Sequence, residues 1–245
     1  RGKKALQQLH SQGVDTSRTI VKAKRDTPLV MVLVDGKTGE RHFLGLQGEP
    51  PRLATEDIDW DSLNGTGIFH MDNWVEDIGA MLARAKNCGA TTIVDTEFRA
   101  NHFPTWLQNV DVFIAGGDHP EWRGNPEAAR AQAEALARCG PRVAILTLGS
   151  AGAVGTGPAG PFSVPGFAVE VVDTCGTGDV FHGSYVFALH KGWEPSECAT
   201  FAAATAALSA MRLGGRAGLP TAARVARFLA ERNLEGPWRE HLNKQ

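Results

Sequence analysis

The pattern of apolar and polar positions changes after Pro50 and Pro51. Before that point, Gly2–Gln12 has the pattern of a helix, and two apolar runs, Leu29–Val34 and Arg41–Leu46, flank the turn sequence Asp35–Gly39. A turn rich in Asp and Gly between two apolar runs predicts a β-hairpin. After that point, short apolar runs alternate with longer amphipathic stretches, which predicts strands alternating with helices.

The predicted strands after the change are short, and most end at turn residues. They are Gly67–Met71, Thr91–Asp95, Val110–Ala115, Val143–Leu148, the hairpin pair Ala151–Gly155 and Phe162–Val164, and the strand-like run Phe167–Val172. The predicted helices are Val75–Lys86, Pro126–Arg138, Val180–His190, Pro195–Arg212 and Thr221–Arg232, with a helical tail from about Leu234. This alternation predicts an α/β fold with a mostly parallel sheet covered by helices, in which ligands bind beyond the carboxyl ends of the strands.

Composition and charge narrow the possible partners. The 245 residues suffice for one large α/β domain or two small ones, and 42% hydrophobic with 21% charged residues is ordinary for a globular protein. A net charge of −2 without a Lys/Arg-rich run argues against a nucleic-acid partner. No apolar run approaches the roughly 20 residues that cross a bilayer, and we expect no secretory signal. The lack of such a run leads us to expect no membrane partner. The four cysteines are widely separated, so we also expect a cytoplasmic protein without a zinc site.

Candidate chemistry concentrates in Asp173–Asp179, which reads Asp-Thr-Cys-Gly-Thr-Gly-Asp before the predicted helix Val180–His190. The first turn of a helix offers unpaired backbone N–H groups and a positive dipole end, and glycines let an anion come close. Asp179 adds a carboxylate at the same place. Backbone donors and one carboxylate suit transfer of a phosphoryl group to a hydroxyl, although a plain turn with a capping Asp has the same spacing.

This segment resembles the signature D-T-x-G-A-G-D of the ribokinase-like (PfkB) carbohydrate kinases, with Thr177 at the usual Ala position. The resemblance implies a ribokinase-like three-layer sandwich with a small β lid. It implies that Asp179 is the catalytic base and that Cys175, Gly176, Thr177 and Gly178 form the anion hole. It also implies ATP with Mg²⁺ as the phosphoryl donor and a primary hydroxyl of a monosaccharide as the acceptor.

Two further segments are similar to nucleotide-binding parts of that family. Thr147–Gly152 resembles the family's T-x-G-x-x-G segment, and Ala202–Met211 resembles the helix that borders the adenine. The positions that the resemblance places beside the nucleotide are Thr147, Gly149, Gly152, Cys175 and Ala203. Taken without the resemblance, the first segment is an ordinary strand-to-hairpin turn and the second is a tightly packed helix.

The resemblance also implies a site for a monovalent cation such as K⁺. In the family, backbone carbonyls of the D-T-x-G segment and of the loop after the adenine-bordering helix hold this ion. The matching positions here are Asp173, Cys175, Ala210 and Gly215.

Three side chains besides Asp179 are candidates for binding the acceptor. Asp95–Arg99 resembles the family's D-x-N-x-R with Glu97 in place of Asn, so Arg99 holds a phosphate or forms a surface ion pair. Asn73 follows a predicted strand and either faces the sugar or caps a helix. Arg41 corresponds to a lid arginine of the ketohexokinase-like branch or is a solvated strand residue. Two histidines are assigned no ligand: His70 is expected to be buried in its strand, and His182 to lie at the surface or in the packing.

The chain departs from the family pattern in two places. The family's N-x-x-E, linked to magnesium and phosphate handling, has no counterpart in Ile114–Glu121, where Asp118 or Glu121 takes its place or the segment is an exposed turn. A similar loss in the ketohexokinase-like branch gives a weak preference for a ketose acceptor. The first strands of the family fold, which usually carry sugar-binding Asp, Gly and Asn residues, also have no match, so either they precede this sequence or the chain is a truncated relative.

These observations predict one ribokinase-like domain over residues 1–245, in which residues 18–48 contribute to the β lid. Lids of this kind pair into homodimers in the family, and the expected partner is otherwise a small-molecule sugar. Two alternatives stay open: a nucleoside kinase of the same family, and a nucleotide- or sugar-binding relative without turnover. A nucleotide-dependent dehydrogenase is disfavoured, because Gly176–Asp179 does not fit G-x-G-x-x-G.

Overall fold

The computed structural model of the chain describes most of its residues in two compact units. The described residues are 1–22, 27, 29–34, 41–45, 52–72, 75–95, 104–116, 122 and 125–242. One unit spans Arg1–Ile58 with Trp74–Asp77, and the other spans Asp59–Asn73 with Ile78–Gln245. The single kinase domain expected from the sequence stays a prediction. No helix in the described ranges is long and apolar enough to cross a membrane.

The smaller unit contains helix α1 (Gly2–Ser11) and a two-stranded antiparallel sheet of β1 (Val30–Val34) and β2 (Arg41–Gly45). Both predicted hairpin strands are confirmed within one residue, and their turn at 35–39 lies outside the described residues. Several apolar side chains of this sheet are exposed: Val30, Met31, Leu33 and Leu44. Pairing of two copies through this sheet stays a prediction.

The larger unit is built on a six-stranded sheet whose strands lie side by side in chain order. They are β3 (Ile68–Met71), β4 (Thr91–Asp95), β5 (Val112–Gly116), β6 (Val143–Thr147), β7 (Ala153–Gly157) and β8 (Gly160–Val164). The helices are α2 (Ile78–Asn87), α3 (Pro126–Ala137), α4 (Thr177–His190), α5 (Pro195–Ser209) and α6 (Ala222–Ala230). Strands β3 to β6 run parallel, and β7 and β8 form the antiparallel hairpin that was expected. The predicted mostly parallel α/β fold is confirmed.

The middle strands are buried on both faces, which explains their uninterrupted apolar sequences. Ile93, Ile114 and Ile145 are fully buried and pack in one cluster with Tyr185 of α4 and Ala202 of α5. Their strand neighbours, which point to the opposite face, are also fully buried: Val94, Phe113, Ala144 and Leu146. Helices therefore cover both faces of the sheet, and only its edges and strand ends remain for function.

The strand predicted over Phe167–Val172 is wrong. In the part of the chain that the structure describes, these residues form no strand, and the Val172 and Asp173 N–H groups both donate to the carbonyl of Ala210, at 2.8 and 3.0 Å. Phe167 and Val169 pack against the core, whereas Val171 and Val172 are each 57% exposed. The apolar pattern thus reflects one packed side of an irregular segment, and the Gly-rich turn follows this segment instead of a strand.

Several helix bounds also differ from the expectation. The helix predicted from Val75 begins at Ile78, because Val75 forms a bridge with Leu53. The helix α5 ends at Ser209 before the loop that carries Gly214, and the helical tail is a short 3-10 helix over Pro237–His241. Helix α4 begins earlier than expected, at Thr177, which puts the Gly-rich turn directly at its start.

Candidate active site

Helix α4 begins at a glycine that no other residue would replace without strain. Gly176 caps the helix with a φ of 77°, a left-handed conformation that favours glycine. A Cβ at this position would lie 3.3 Å from the Gly215 Cα atom, so the loop after α5 also limits its size. The Gly176 carbonyl accepts the first helical hydrogen bond, from the Val180 N–H at 2.9 Å. The turn therefore brings the chain close to the loop and then directly into the helix.

The first turn of α4 presents backbone donors and a carboxylate together. Within the described ranges, the Gly178 and Asp179 N–H groups have no acceptor, and both residues are exposed. The Thr177 N–H makes only a long hydrogen bond, at 3.3 Å, to the Thr174 carbonyl. A Cβ on Gly176 would lie 3.7 Å from Asp179 Oδ2, so the carboxylate lies near the turn. This arrangement can accept an anion and a proton at neighbouring places.

The Asp173 carboxylate connects this turn to the loop after α5 by accepting a hydrogen bond from each. Its Oδ1 accepts a hydrogen bond from the Cys175 N–H, and its Oδ2 accepts one from the Gly214 N–H, each at 2.8 Å. The Cys175 carbonyl oxygen would lie 3.3 Å from a Cβ on Gly215. The structure therefore brings together the four positions predicted for a monovalent cation, although the Ala210 carbonyl already accepts two N–H groups. Cation binding stays a prediction.

The segment predicted to lie along the nucleotide follows β6 directly, as expected. Thr147 is the last residue of this strand, and Gly149 is exposed with a φ of 57°. Gly152 has a structural reason of its own, because its φ is 95° and an added Cβ would overlap the Val164 carbonyl oxygen. Ala203, on α5, is half-buried. At the carboxyl edge of the sheet, Gly149 is therefore exposed and Thr147 is half-buried with its hydroxyl donating to the Ala115 carbonyl, while Gly152 mainly permits two segments to cross.

A group of carboxylates at this edge was not expected from the sequence. Asp95 is the last residue of β4, and Asp72 directly follows β3. Burial, together with the negative charges of Asp179 and then Asp72, raises the pKa of Asp95 to about 6. The strand ends and the helix start thus bring three acidic side chains within electrostatic reach of one another.

His182 is the second unexpected member of this group. It is 5% exposed, and its Nε2 lies 3.3 Å from Asp95 Oδ1. Burial, and the nearby His70 whose ring centroid is 6.0 Å away, lower the pKa of His182 to about 4. At neutral pH the imidazole is therefore uncharged and the carboxylate is charged, so the contact is not an ion pair, and the carboxylate can take part in it only as an acceptor. Sequence reasoning left a surface position and a packed position open for His182, and its burial confirms the packed position.

His70 also differs from the expectation, because it is exposed instead of buried. It lies on β3, the first strand of the described sheet, where only β4 covers one flank. The pattern of the strand shows this: Met71 is buried, whereas His70 on the opposite side is open. Nearby protein still removes part of its hydration and lowers the pKa of its imidazole.

The other predicted acceptor-binding residues cannot be placed in this group. Asn73 and Arg99 lie outside the described residues, and so do Asp118 and Glu121, which the sequence offered in place of the N-x-x-E acid. Arg41 is the first residue of β2 in the smaller unit, and its side chain is not among those described. Asp179 is thus the one acceptor candidate whose surroundings the described ranges show.

Solved structures share this architecture. A ribokinase from Thermotoga maritima is 26% identical with a TM-score of 0.76, over 93% of this chain and 77% of that one. A structure from E. coli, assigned as a ribokinase II and solved with ATP and Mg²⁺, is 20% identical with a TM-score of 0.75, over 94% of this chain and 79% of that one; this likeness concerns the fold. The fold is therefore that of the ribokinase-like kinases.

The sequence comparisons agree with the fold. The model of the pfkB family of carbohydrate kinases matches residues 1–222. An ATP-dependent ribose-1-phosphate kinase from Halopiger xanaduensis is 30% identical over 235 residues, which cover 93% of this chain and 76% of that protein. The chain belongs to the pfkB family of carbohydrate kinases. The resemblance drawn from Asp173–Asp179 is confirmed at the level of the family, and the ketohexokinase-like branch stays a prediction.

The opposite pKa shifts of Asp95 and His182 predict a specific pH dependence of stability. The pKa of Asp95 rises from 3.8 to about 6 in the fold, so its stabilising contribution is present below pH 3.8 and is lost as the pH rises through 6. The pKa of His182 falls from 6.5 to about 4, so its contribution is present above pH 6.5 and is lost as the pH falls through 4. The two effects oppose each other over the same pH range.

We expect Asp95→Asn to raise the free energy of unfolding by on the order of 1–3 kcal/mol at pH 7.5 and by much less at pH 4.5. The asparagine keeps an acceptor for His182 but removes the charge that Asp179 and Asp72 repel. Urea unfolding at the two pH values measures this. The control is Asp61→Asn, an exposed aspartate of the same unit, which should change stability by less than about 0.5 kcal/mol at either pH. A gain at pH 4.5 as large as at pH 7.5 would contradict the shift assigned to Asp95.

Proposed function

We propose that the protein transfers the γ-phosphoryl group of ATP to a hydroxyl, a primary one, of a monosaccharide. The observation that carries this proposal is the start of α4, where the N–H groups of Gly178 and Asp179, which have no acceptor among the described residues, share the first helical turn with the Asp179 carboxylate. Membership of the pfkB carbohydrate kinases supports the reaction class. The similarity to a ribose-1-phosphate kinase adds ribose and its phosphates to the ketoses as acceptors worth testing.

Asp179 acts as the general base in this proposal. Its carboxylate accepts the proton when the O–H bond of the acceptor breaks, and the freed oxygen forms a bond to the γ-phosphorus. The bond between that phosphorus and the β–γ bridging oxygen breaks, and ADP leaves. The turn Gly176–Gly178, the Asp179 N–H group and the dipole of α4 stabilise the negative charge of the transferring group.

Mg²⁺ fits the chemistry of this edge of the sheet. Asp72 is exposed beside the site, and Mg²⁺ takes carboxylate oxygens together with phosphate oxygens. When bound with ATP, the ion would neutralise charge on the β- and γ-phosphates. The solved ribokinase II structure with ATP and Mg²⁺ supports this pairing of nucleotide and ion. Thr147, Gly149 and Ala203 are the residues proposed to lie along the nucleotide.

The test is acceptor-dependent formation of ADP from ATP and Mg²⁺. The acceptor panel contains ribose, ribose 1-phosphate, ketoses, other aldoses and nucleosides. We expect sugar-dependent turnover, and a preference for nucleosides over every sugar would favour a nucleoside kinase. Binding of ATP without ADP formation on any acceptor would overturn the proposal in favour of a binding protein without turnover.

A further inference from the structure

The contact between His182 and Asp95 joins the helix of the candidate base to a strand end. His182 is on α4, three residues after Asp179, so both side chains belong to one side of its first turns. Its Nε2 reaches Asp95 Oδ1 at 3.3 Å, while its Nδ1 is buried and has no partner in the described part of the chain. A buried polar atom without a partner is uncommon and lowers stability, so packing alone does not explain an imidazole here.

Asp95 is in an unfavourable environment for a carboxylate. Its side chain is 28% exposed, and the charges of Asp179 and Asp72 act on it. In the described ranges, His182 is the one donor seen within hydrogen-bond reach of its oxygens. A contact at Oδ1 fixes the orientation of the carboxylate and leaves Oδ2 as an acceptor. A polyol supplies the O–H donors that such an acceptor needs.

We propose that His182 is a positioning residue for the acceptor: its Nε2–H holds the Asp95 carboxylate so that the carboxylate binds a second hydroxyl of the sugar, next to the hydroxyl received by Asp179. This inference rests on the proposed function and deepens it. It predicts that the preferred acceptor carries a hydroxyl next to the one that is phosphorylated. His182 itself does not touch the substrate.

The test uses two substitutions of His182 that differ in one property. His182→Gln keeps an N–H donor near the position of Nε2, whereas His182→Leu keeps similar volume without a donor. We expect His182→Leu to raise KM for the acceptor by about tenfold, with KM for ATP within about twofold of the wild-type value, and we expect His182→Gln to recover most of the loss. The control is His190→Leu, the same change at an exposed position of the same helix.

A double-mutant cycle and substrate analogues extend this test. If His182 acts through Asp95, His182→Leu should have little further effect on acceptor KM in an Asp95→Ala background, where no side-chain acceptor is left for His182. Among monodeoxy analogues of the accepted sugar, at least one should give nearly the same KM with the wild-type protein and with His182→Leu, because it lacks the hydroxyl that Asp95 binds.

The outcomes separate this inference from the proposed function. Equal acceptor KM values for His182→Leu and His182→Gln, or a fall in melting temperature without a change in KM, would show a packing role and overturn the inference alone. Additive effects of His182→Leu and Asp95→Ala would also overturn it. The proposed function itself fails if the wild-type protein turns over no acceptor, and the role of Asp179 as the base fails if Asp179→Asn keeps kcat within about tenfold of the wild-type value.

Discussion

Asp179→Asn is expected to lower kcat by about a hundredfold or more, the scale of general-base catalysis, while nucleotide binding persists. The asparagine has nearly the same size and leaves the backbone N–H groups of the first turn of α4 in place. It removes only the ability to accept the hydroxyl proton. Asp179 is exposed, so the substitution opens no cavity. The loss of a carboxylate at a helix start costs about 0.3–1 kcal/mol of stability, and the lost repulsion of Asp95 offsets part of this cost.

The control for Asp179→Asn is Glu127→Gln. Glu127 is an exposed acid in the first turn of α3, so its substitution makes the same kind of change at the start of another helix. Both variants should lose similar small amounts of stability, but Glu127→Gln should keep wild-type kcat. Steady-state ADP formation at saturating ATP and acceptor measures the difference. If Asp179→Asn kept kcat within about tenfold of the wild-type value, another group would have to accept the proton.

Gly152→Ala should lower the free energy of unfolding by about 3 kcal/mol or more, because two separate costs coincide. Gly152 has a φ of 95° and a ψ of −129°, a conformation that is essentially restricted to glycine. The added Cβ would also overlap the backbone of Val164 and lie 2.6 Å from the Gly166 nitrogen. A backbone atom cannot rotate away as a side chain does, so one of the two crossing segments must move.

Gly149→Ala is the matched control for this loss. It lies three residues earlier in the same loop, its φ is 57°, and an added Cβ meets nothing within 4 Å. The left-handed conformation alone should cost about 1 kcal/mol. Thermal or urea unfolding of the two variants separates the cost of the left-handed backbone conformation from the cost of the steric overlap between the added Cβ and the backbone of Val164. Equal losses would mean that the crossing of the loop with Val164 is looser than the structure shows.

Sequence alone predicted the fold because the decisive pattern is local. Each strand from β4 to β6 is a short apolar run, and each lies between turn residues or helices of typical length. The same rule failed at Phe167–Val172. Apolar side chains there pack against the core, but their backbone partners are fixed by Ala210, far away in the sequence. Hydrogen-bond partners of this kind leave no trace in the pattern of apolar positions.

For the candidate site too, the sequence predicted the local part and missed the contact between distant residues. The turn Asp173–Asp179 carries its glycines and carboxylate within one short segment, so spacing was sufficient to find it. The pair of Asp95 and His182 joins a strand end to a helix that comes much later in the chain. The signals were an acid at the carboxyl end of a strand and a histidine one turn after Asp179. Neither signal says that the two side chains meet.

The double hydrogen bond of Asp173 has a consequence for the entropy of nucleotide binding. One carboxylate holds an N–H group of the turn before α4 and an N–H group of the loop after α5. Ordering flexible segments around a ligand reduces affinity, because the lost conformational freedom counts against binding. Here the two segments become ordered together when the chain folds. A nucleotide that contacts both would meet them already in place, so its affinity would reflect its contacts with little loss for loop ordering.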